Sequence, residues 1–296
     1  MTEQRADVYT RITDQIVAAI EAGAGKSRMP WHHDGQATSR PINLASNKPY
    51  RGINVLVLWA AADRCGYANG LWGTYRQWLA VGAQVRKSER GTVVVLWKQT
   101  GNDNADNQGA DGDDQNRRVF ARAFTVFNVA QVENYQPESV ALRSEPERFA
   151  LADAFIANLH ITTIFGCSGA YYCPRTDVVH IPNLVQFDDA ADFYGVSIHE
   201  YGHATAAKSR LNRDLTGRFG SAKYAAEEVC AEFISGFVLA DLGIAHNPRP
   251  DHAAYIASWL AALKDDSRAI FAAASKAQTA ADWMHAQQMS EMEAAA

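Results

Sequence analysis

Apolar residues recur at every fourth position near the start of the chain, at Val8, Ile12, Ile16 and Ile20. That spacing stacks them on one face of a helix. Gly23-Ala24-Gly25 ends the pattern. A denser apolar stretch at 53–62 predicts a second helix, entered through the polar residues 48–52, and 74–81 predicts a third. The composition then shifts to β-branched and aromatic residues at 92–97 and 119–127, which predict the two strands of a hairpin. Gly, Asn and Asp fill the intervening 101–116. This stretch reads as a mobile hairpin tip, since its aspartates lack the closing Glu of a calcium-binding EF-hand.

Further on, 134–147 contains two prolines and several charges and reads as a linker. A helix is expected over 146–159. Residues 171–181 predict a pair of strands turning at Pro174, and 225–242 predict a long apolar helix ended by Gly243. Helices near 253–264 and 267–278 close the chain. The organisation is therefore α+β. An N-terminal domain at 1–135 mixes helices with a β-hairpin, a linker follows at 136–147, and a mostly helical domain with a small sheet occupies 148–296.

Composition narrows the class. The chain has 296 residues, enough for two ordinary domains each with its own core, and 47% of them are hydrophobic. No apolar run approaches the roughly 20 residues needed to span a bilayer, and the N-terminus lacks the basic-then-apolar design of a signal peptide. A cytoplasmic protein without a membrane partner is expected. Cys65, Cys167, Cys173 and Cys230 form no CxxC pair, so reduced thiols are expected rather than a cysteine zinc knuckle. Net charge is −5 and uneven: 13 Lys and Arg face 7 Asp and Glu in the first 100 residues, against 15 and 26 thereafter. A basic first third suggests an anion-binding module.

The strongest chemical signal is His199-Glu200-Tyr201-Gly202-His203. On a helix the two histidines share a face and can hold one metal through two imidazole nitrogens, while Glu200 can take a proton from the attacking water. A catalytic zinc wants a third protein ligand. Glu227, Glu228 and Glu232 lie on the 225–242 helix, with His246 and His252 beyond it. Glu228 and Glu232 are four apart and share a face, so Glu228 is favoured as the ligand and Glu232 as the partner of a ligand histidine. Glu227 points elsewhere and is expected in solvent. Trp31-His32-His33 sits in a loop, where a solvated histidine pair is expected rather than a metal site. Zinc is the expected ion, although manganese or another divalent ion can use the same ligands.

The first third holds the materials of a single-strand binder, cations for phosphates and flat rings for bases. Arg76, Arg86, Lys87, Arg90 and Lys98 lie close in sequence to Trp72, Tyr75 and Trp78, and Lys48, Tyr50, Arg51 and Asn54 form a second mixed cluster. Trp59 and Trp97 lie in apolar runs and are expected in the core, whereas Tyr50 and Tyr75 suit either role. The absence of a helix-turn-helix or finger pattern argues against sequence-specific duplex reading.

Several longer runs carry a resemblance. They include Pro49-Tyr50-Arg51-Gly52-Ile53-Asn54, Trp72-Gly73-Thr74-Tyr75-Arg76-Gln77-Trp78, the stretch 82–91, Phe127-Asn128-Val129-Ala130-Gln131-Val132, the His199–His203 motif, Arg210-Leu211-Asn212-Arg213-Asp214-Leu215 and the stretch 224–232. In this order they resemble the ArdC-type antirestriction proteins of conjugative plasmids. Those proteins share an N-terminal domain with some plasmid primases and carry a C-terminal metallopeptidase-like domain related to the SprT and gluzincin groups. The resemblance implies single-stranded DNA binding by the N-terminal domain, for which the charged and aromatic clusters offer Lys48, Tyr50, Arg51, Asn54, Trp72, Tyr75, Arg76, Arg86, Lys87 and Arg90 as candidates. It also implies protection of incoming plasmid DNA from restriction during conjugation and a zincin-like fold in the second half. The acidic stretch 101–116 departs from the family in length. A restriction-system or DNA-bound protein is the expected substrate of a working peptidase. Two alternatives stay open: a DNA-activated zinc protease acting on DNA-associated proteins, and a pure single-strand binder with a structural metal.

Overall fold

The computed structural model describes residues 7–24, 29, 31–33, 40–99, 119–138, 143–218, 220–247, 259–260 and 263–294. The expected hairpin tip at 101–116 and most of the expected helix at 253–264 lie outside these residues. Helix α1 (Val8–Ala24) buries Ile12, Ile16 and Ile20, the face the spacing marks out. Helix α2 (Ile53–Cys65) is buried on nearly every side and is stopped by Gly66 in the left-handed conformation. A four-stranded sheet follows the order β1 (Ile42–Asn43), β2 (Leu71–Thr74), β5 (Val119–Asn128), β4 (Thr92–Gln99). The hairpin β4–β5 is antiparallel from Thr92↔Val126 to Gln99↔Val119. The short helix α3 (Tyr75–Ala80) opens with a capping box between Thr74 and Gln77. A small pair, β3 (Gln84–Val85) with β6 (Val132–Glu133), lies beside it.

Beyond the connecting residues come α4 (Glu145–Ala157) and a three-stranded sheet in the order β7 (Thr163–Phe165), β9 (Val178–Ile181), β8 (Tyr171–Cys173). Strands β8 and β9 are the expected antiparallel pair. Strand β7 adds to β9 in parallel and has no alternating pattern to announce it. Helices α5 (Ala190–Ala204) and α6 (Ala222–Leu242) then cross closely, for a Cβ at Gly202 would stand 3.4 Å from Ile234. Helix α6 is buried almost throughout and ends at Gly243 with φ 71°. Helix α7 (Ala269–Ala294) runs well past the expected end at 278. No described helix is long and apolar enough to cross a membrane. The four cysteines are free thiols.

The halves do not have separate cores. Ile12, Ile16, Leu56 and Trp59 from the first third join Phe233, Phe237, Ala277 and Met284 in one cluster, with α6 at its centre. Small satellite clusters form around Trp72 and around Trp78. The shared core follows from α2 and α6, each apolar on too many sides to be satisfied by one neighbour. Trp97 departs from its expected core position. It is 44% exposed and packs one side against Tyr9 and Phe271.

Candidate metal centre

Helix α5 presents His199 and His203 one turn apart, with Nε2 atoms 3.2 Å from each other. Helix α6 brings Glu228 against both. Its Oε2 is 3.4 Å from His199 Nε2 and its Oε1 is 3.3 Å from His203 Nε2. A tetrahedral ion with bonds near 2.0–2.1 Å needs donors about 3.3 Å apart, so this triangle fits zinc or an ion of similar size. His199 is 2% exposed and Glu228 8%, and their charges are not diluted by water. Burial works against a charged His203, yet Glu227, Glu228 and Glu200 together raise its pKa to about 10. Burial would also raise the Glu228 carboxyl, but the two histidines hold it far below its ordinary range. These carboxylates call for positive charge, and a divalent ion supplies it in place of protons.

Each ligand histidine is backed on its far side. His199 Nδ1 lies 3.4 Å from Glu232 Oε2, the role expected for Glu232. His203 Nδ1 lies 3.4 Å from Glu227 Oε1. Glu227 is therefore not in solvent. Arg213 donates to both of its oxygens, at 2.7 and 3.2 Å, and also to the Gly202 carbonyl and Thr205 hydroxyl at the end of α5. The ion pair keeps the Glu227 carboxyl below its usual range despite burial. Neither role was visible in helix spacing, because Arg213 arrives from the loop between α5 and α6.

Glu200 faces a cleft of about 340 Å³ bounded by Tyr171, Tyr172, Pro174, Leu215 and Tyr224. The Tyr172 backbone N–H donates to Glu200 Oε2 at 3.0 Å, which ties the carboxylate to edge strand β8. Tyr172 in turn donates its hydroxyl to Asp177, which pairs with Arg210. Burial and the Asp177 charge push the Tyr172 hydroxyl up to about 12. The elements that frame the metal triangle thus also hold the Glu200 carboxylate at the open side.

The candidate DNA residues fare unevenly. Trp72 is fully buried, so its ring has no face to offer a base. Both ends of the Asn54 amide bond the Val95 backbone, at 2.7 and 2.8 Å, which pins α2 to β4. Tyr50 is partly buried, with its hydroxyl accepting from Asn43. Arg51 pairs with Asp282 of α7. Arg86 donates to Glu89 and to the Ala130 carbonyl. Lys48, Tyr75, Arg76, Lys87 and Arg90 are exposed.

His32 and His33 are buried, each 5% exposed, contrary to the solvated loop expected of them. The backbone of His33 bridges that of His246 and folds the loop onto α6. Only sequence-distant contacts bury this pair, and local composition carries no sign of them.

Comparison with known proteins agrees with this layout. Residues 6–127 match the family model for the N-terminal domain of anti-restriction factor ArdC, and residues 150–276 match that for a zincin-like metallopeptidase. An uncharacterized protein of Sinorhizobium fredii, y4eC, is 58% identical over 284 residues, covering 95% of this chain and 92% of that protein. Two DNA primases TraC of Escherichia coli are 35% identical over 304 and 300 residues, but the chain spans only 27% and 20% of their lengths. Crystal structures of the antirestriction protein ArdC from plasmid R388, one Mn(II)-bound and one metal-free, have TM-scores of 0.75. They are 35% and 36% identical, and the match covers 95% of this chain and 98% of theirs. With more than a third of positions identical over almost the full length of both chains, this protein belongs to the ArdC family of antirestriction proteins.

Proposed function

We propose that this protein binds single-stranded DNA, protects incoming plasmid DNA from host restriction during conjugation, and hydrolyses peptide bonds at its metal centre. The observation that carries the catalytic part is Glu200, buried beside the ligand triangle yet bordering an open cleft. A structural metal needs no such carboxylate. His199, His203 and Glu228 hold the ion, zinc by the chemistry of the donor set, with the Mn(II) of the R388 relative supporting a divalent site. When bound, the ion supplies the Lewis acidity that brings water toward neutral pKa and polarises a carbonyl. Glu200 takes the proton from the attacking water and returns it to the leaving amine. The Tyr172 amide holds Glu200 in place, and strand β8 offers an edge along which an extended substrate pairs its backbone. The substrate class is a restriction-system protein or another protein on DNA.

In the first third, exposed Lys48, Tyr75, Arg76, Lys87 and Arg90 follow the DNA strand, with cations on phosphates and the tyrosine against a base. The test is a conjugation assay into a restricting recipient, comparing wild type with Glu200→Ala at equal protein levels. Loss of protection is expected. Full protection by the variant would leave DNA shielding as the function and overturn the role of catalysis.

A further inference from the structure

Behind the metal triangle lies a second buried cluster that the proposed mechanism does not use. Glu232 is wholly buried on α6, with Oε2 toward His199. Its other oxygen, Oε1, faces the loop from the first third of the chain. Trp31 Nε1–H donates to it at 3.1 Å, His32 Nε2 stands 3.4 Å away and His246 Nε2 3.3 Å away. Trp31 is 1% exposed and His246 2%, so this carboxylate depends wholly on protein groups for its solvation.

His32, Glu232 and His246 could hold a metal of their own. The proton positions decide against that reading. The Met29 backbone N–H donates to His32 Nδ1 at 3.0 Å, so that nitrogen offers a lone pair and the neutral ring carries its proton on Nε2. Nε2 therefore presents a donor to Glu232, where a metal ligand must present a lone pair. Trp31 can only donate. His246 places Nδ1 3.2 Å from the Trp31 carbonyl, an acceptor, and closes the ring of groups around Oε1. Trp31 and His32 thus turn N–H groups toward Oε1, whereas neutral His246, with its proton on Nδ1 against the Trp31 carbonyl, turns a lone pair to it.

We infer that Trp31 and His32 are positioning residues for the metal centre: they fix Glu232, Glu232 fixes His199 with its proton on Nδ1, and His199 Nε2 is thereby left bare for the ion. A carboxylate held by the Trp31 N–H on one oxygen, with the His199 imidazole 3.4 Å from the other, is fixed in position. The N-terminal third, expected to act on DNA alone, thus completes the metal site from behind. The inference rests on the reading of His199, His203 and Glu228 as metal ligands, but not on peptidase activity.

The test uses the full chain and no peptide substrate. Zinc affinity is measured by chelator competition, the Co(II)-loaded protein is examined by visible absorption, and metal-free melting temperature serves as the folding control. Trp31→Phe removes one N–H and keeps the ring. His32→Leu removes the other, while His32→Gln keeps an amide donor of similar reach. Trp31→Phe and His32→Leu are expected to weaken zinc binding about tenfold, the lower end of effects seen for partners of ligand histidines, and to shift the Co(II) bands. His32→Gln is expected to restore most of the affinity. Should His32→Leu destabilise the fold, Trp31→Phe and His32→Gln still give the answer. Unchanged affinity in Trp31→Phe, or no rescue by glutamine in a folded protein, overturns the inference. So does binding of two zinc ions per chain with one lost in His246→Ala, which would make the cluster a metal site itself. A wild type that binds zinc but cleaves nothing would sink the peptidase reading and leave this inference standing.

Discussion

The candidate metal centre and the candidate DNA-binding region use their charged residues in opposite ways. At the metal centre, every expected ligand converges. His199, His203 and Glu228 form one triangle, with Glu227 and Glu232 behind it. In the first third, the expected residues disperse: Trp72 fills a core, Asn54 pins a strand, and Arg51 and Arg86 are held by acidic partners. The difference is one of range. Metal ligation needs donors about 3.3 Å apart, and two helices with i, i+4 spacing can specify that locally. A nucleic-acid surface is a collective property of exposed side chains, and spacing along the chain does not say which of them the fold consumes.

The largest expected effect lies at the metal centre. Glu200→Gln keeps the shape of the side chain and removes the base. It is expected to lower peptide cleavage by about 10²–10⁴-fold, with metal content unchanged. Assay of a denatured protein substrate alongside metal analysis checks it. Near-wild-type cleavage would mean that another group moves the proton.

A pair of aromatic substitutions sharpens the contrast within the first third. Trp72→Ala should cost about 3–5 kcal/mol of stability, as for a large ring lost from a core. Tyr75 is 45% exposed, its hydroxyl accepting from the exposed Gln84 amide. Tyr75→Ala should leave the melting temperature nearly unchanged and weaken oligonucleotide binding by about 1–3 kcal/mol. Thermal melts and fluorescence anisotropy measured on both variants would expose a reversed pattern, which would place the strand elsewhere.

These cases also explain how far the sequence could be read. Helix α1, the β4–β5 hairpin, α5 and α6 were all legible, because each carries its own period or composition over many residues. Strand β7 was not, being three residues long and paired in parallel with a strand further along the chain. The continuation of α7 to Ala294 was missed because alanine, though a strong helix former, marks no face. Glu227, His32 and His33 were misplaced for one reason. Their burial comes from Arg213 and from the 29–33 loop meeting α6, contacts that no local window contains. The convergence of His199, His203 and Glu228 was readable, and the groups around them were not.

Glu227 tests whether those supports matter. Glu227→Gln removes the charge facing His203 and leaves Arg213 buried with only neutral acceptors. Zinc affinity should fall about 10–100-fold, and the metal-free melting temperature should also drop, because a buried guanidinium loses its charged partner. Chelator competition checks it. An unchanged affinity would reduce Glu227 to a partner of Arg213 alone.

The smallest effect concerns the charges of the first third. Each phosphate contact on a single strand contributes about 0.7 to the slope of log affinity against log salt. Arg76, Arg86, Lys87 and Arg90 are all exposed, but Arg86 is tied to Glu89 and to the Ala130 carbonyl. If the other three follow the strand, changing Arg76, Lys87 and Arg90 together to Ala should lower the slope by about 2, and Arg86→Ala alone should hardly move it. Anisotropy titrations of a labelled oligonucleotide across a salt series measure both. A full step in slope from Arg86→Ala would mean that an arginine can hold its fold and a phosphate at once. The separation between structural and binding charges would then be wrong for this face. An unchanged slope in the triple variant would move the DNA path off it, toward Lys48.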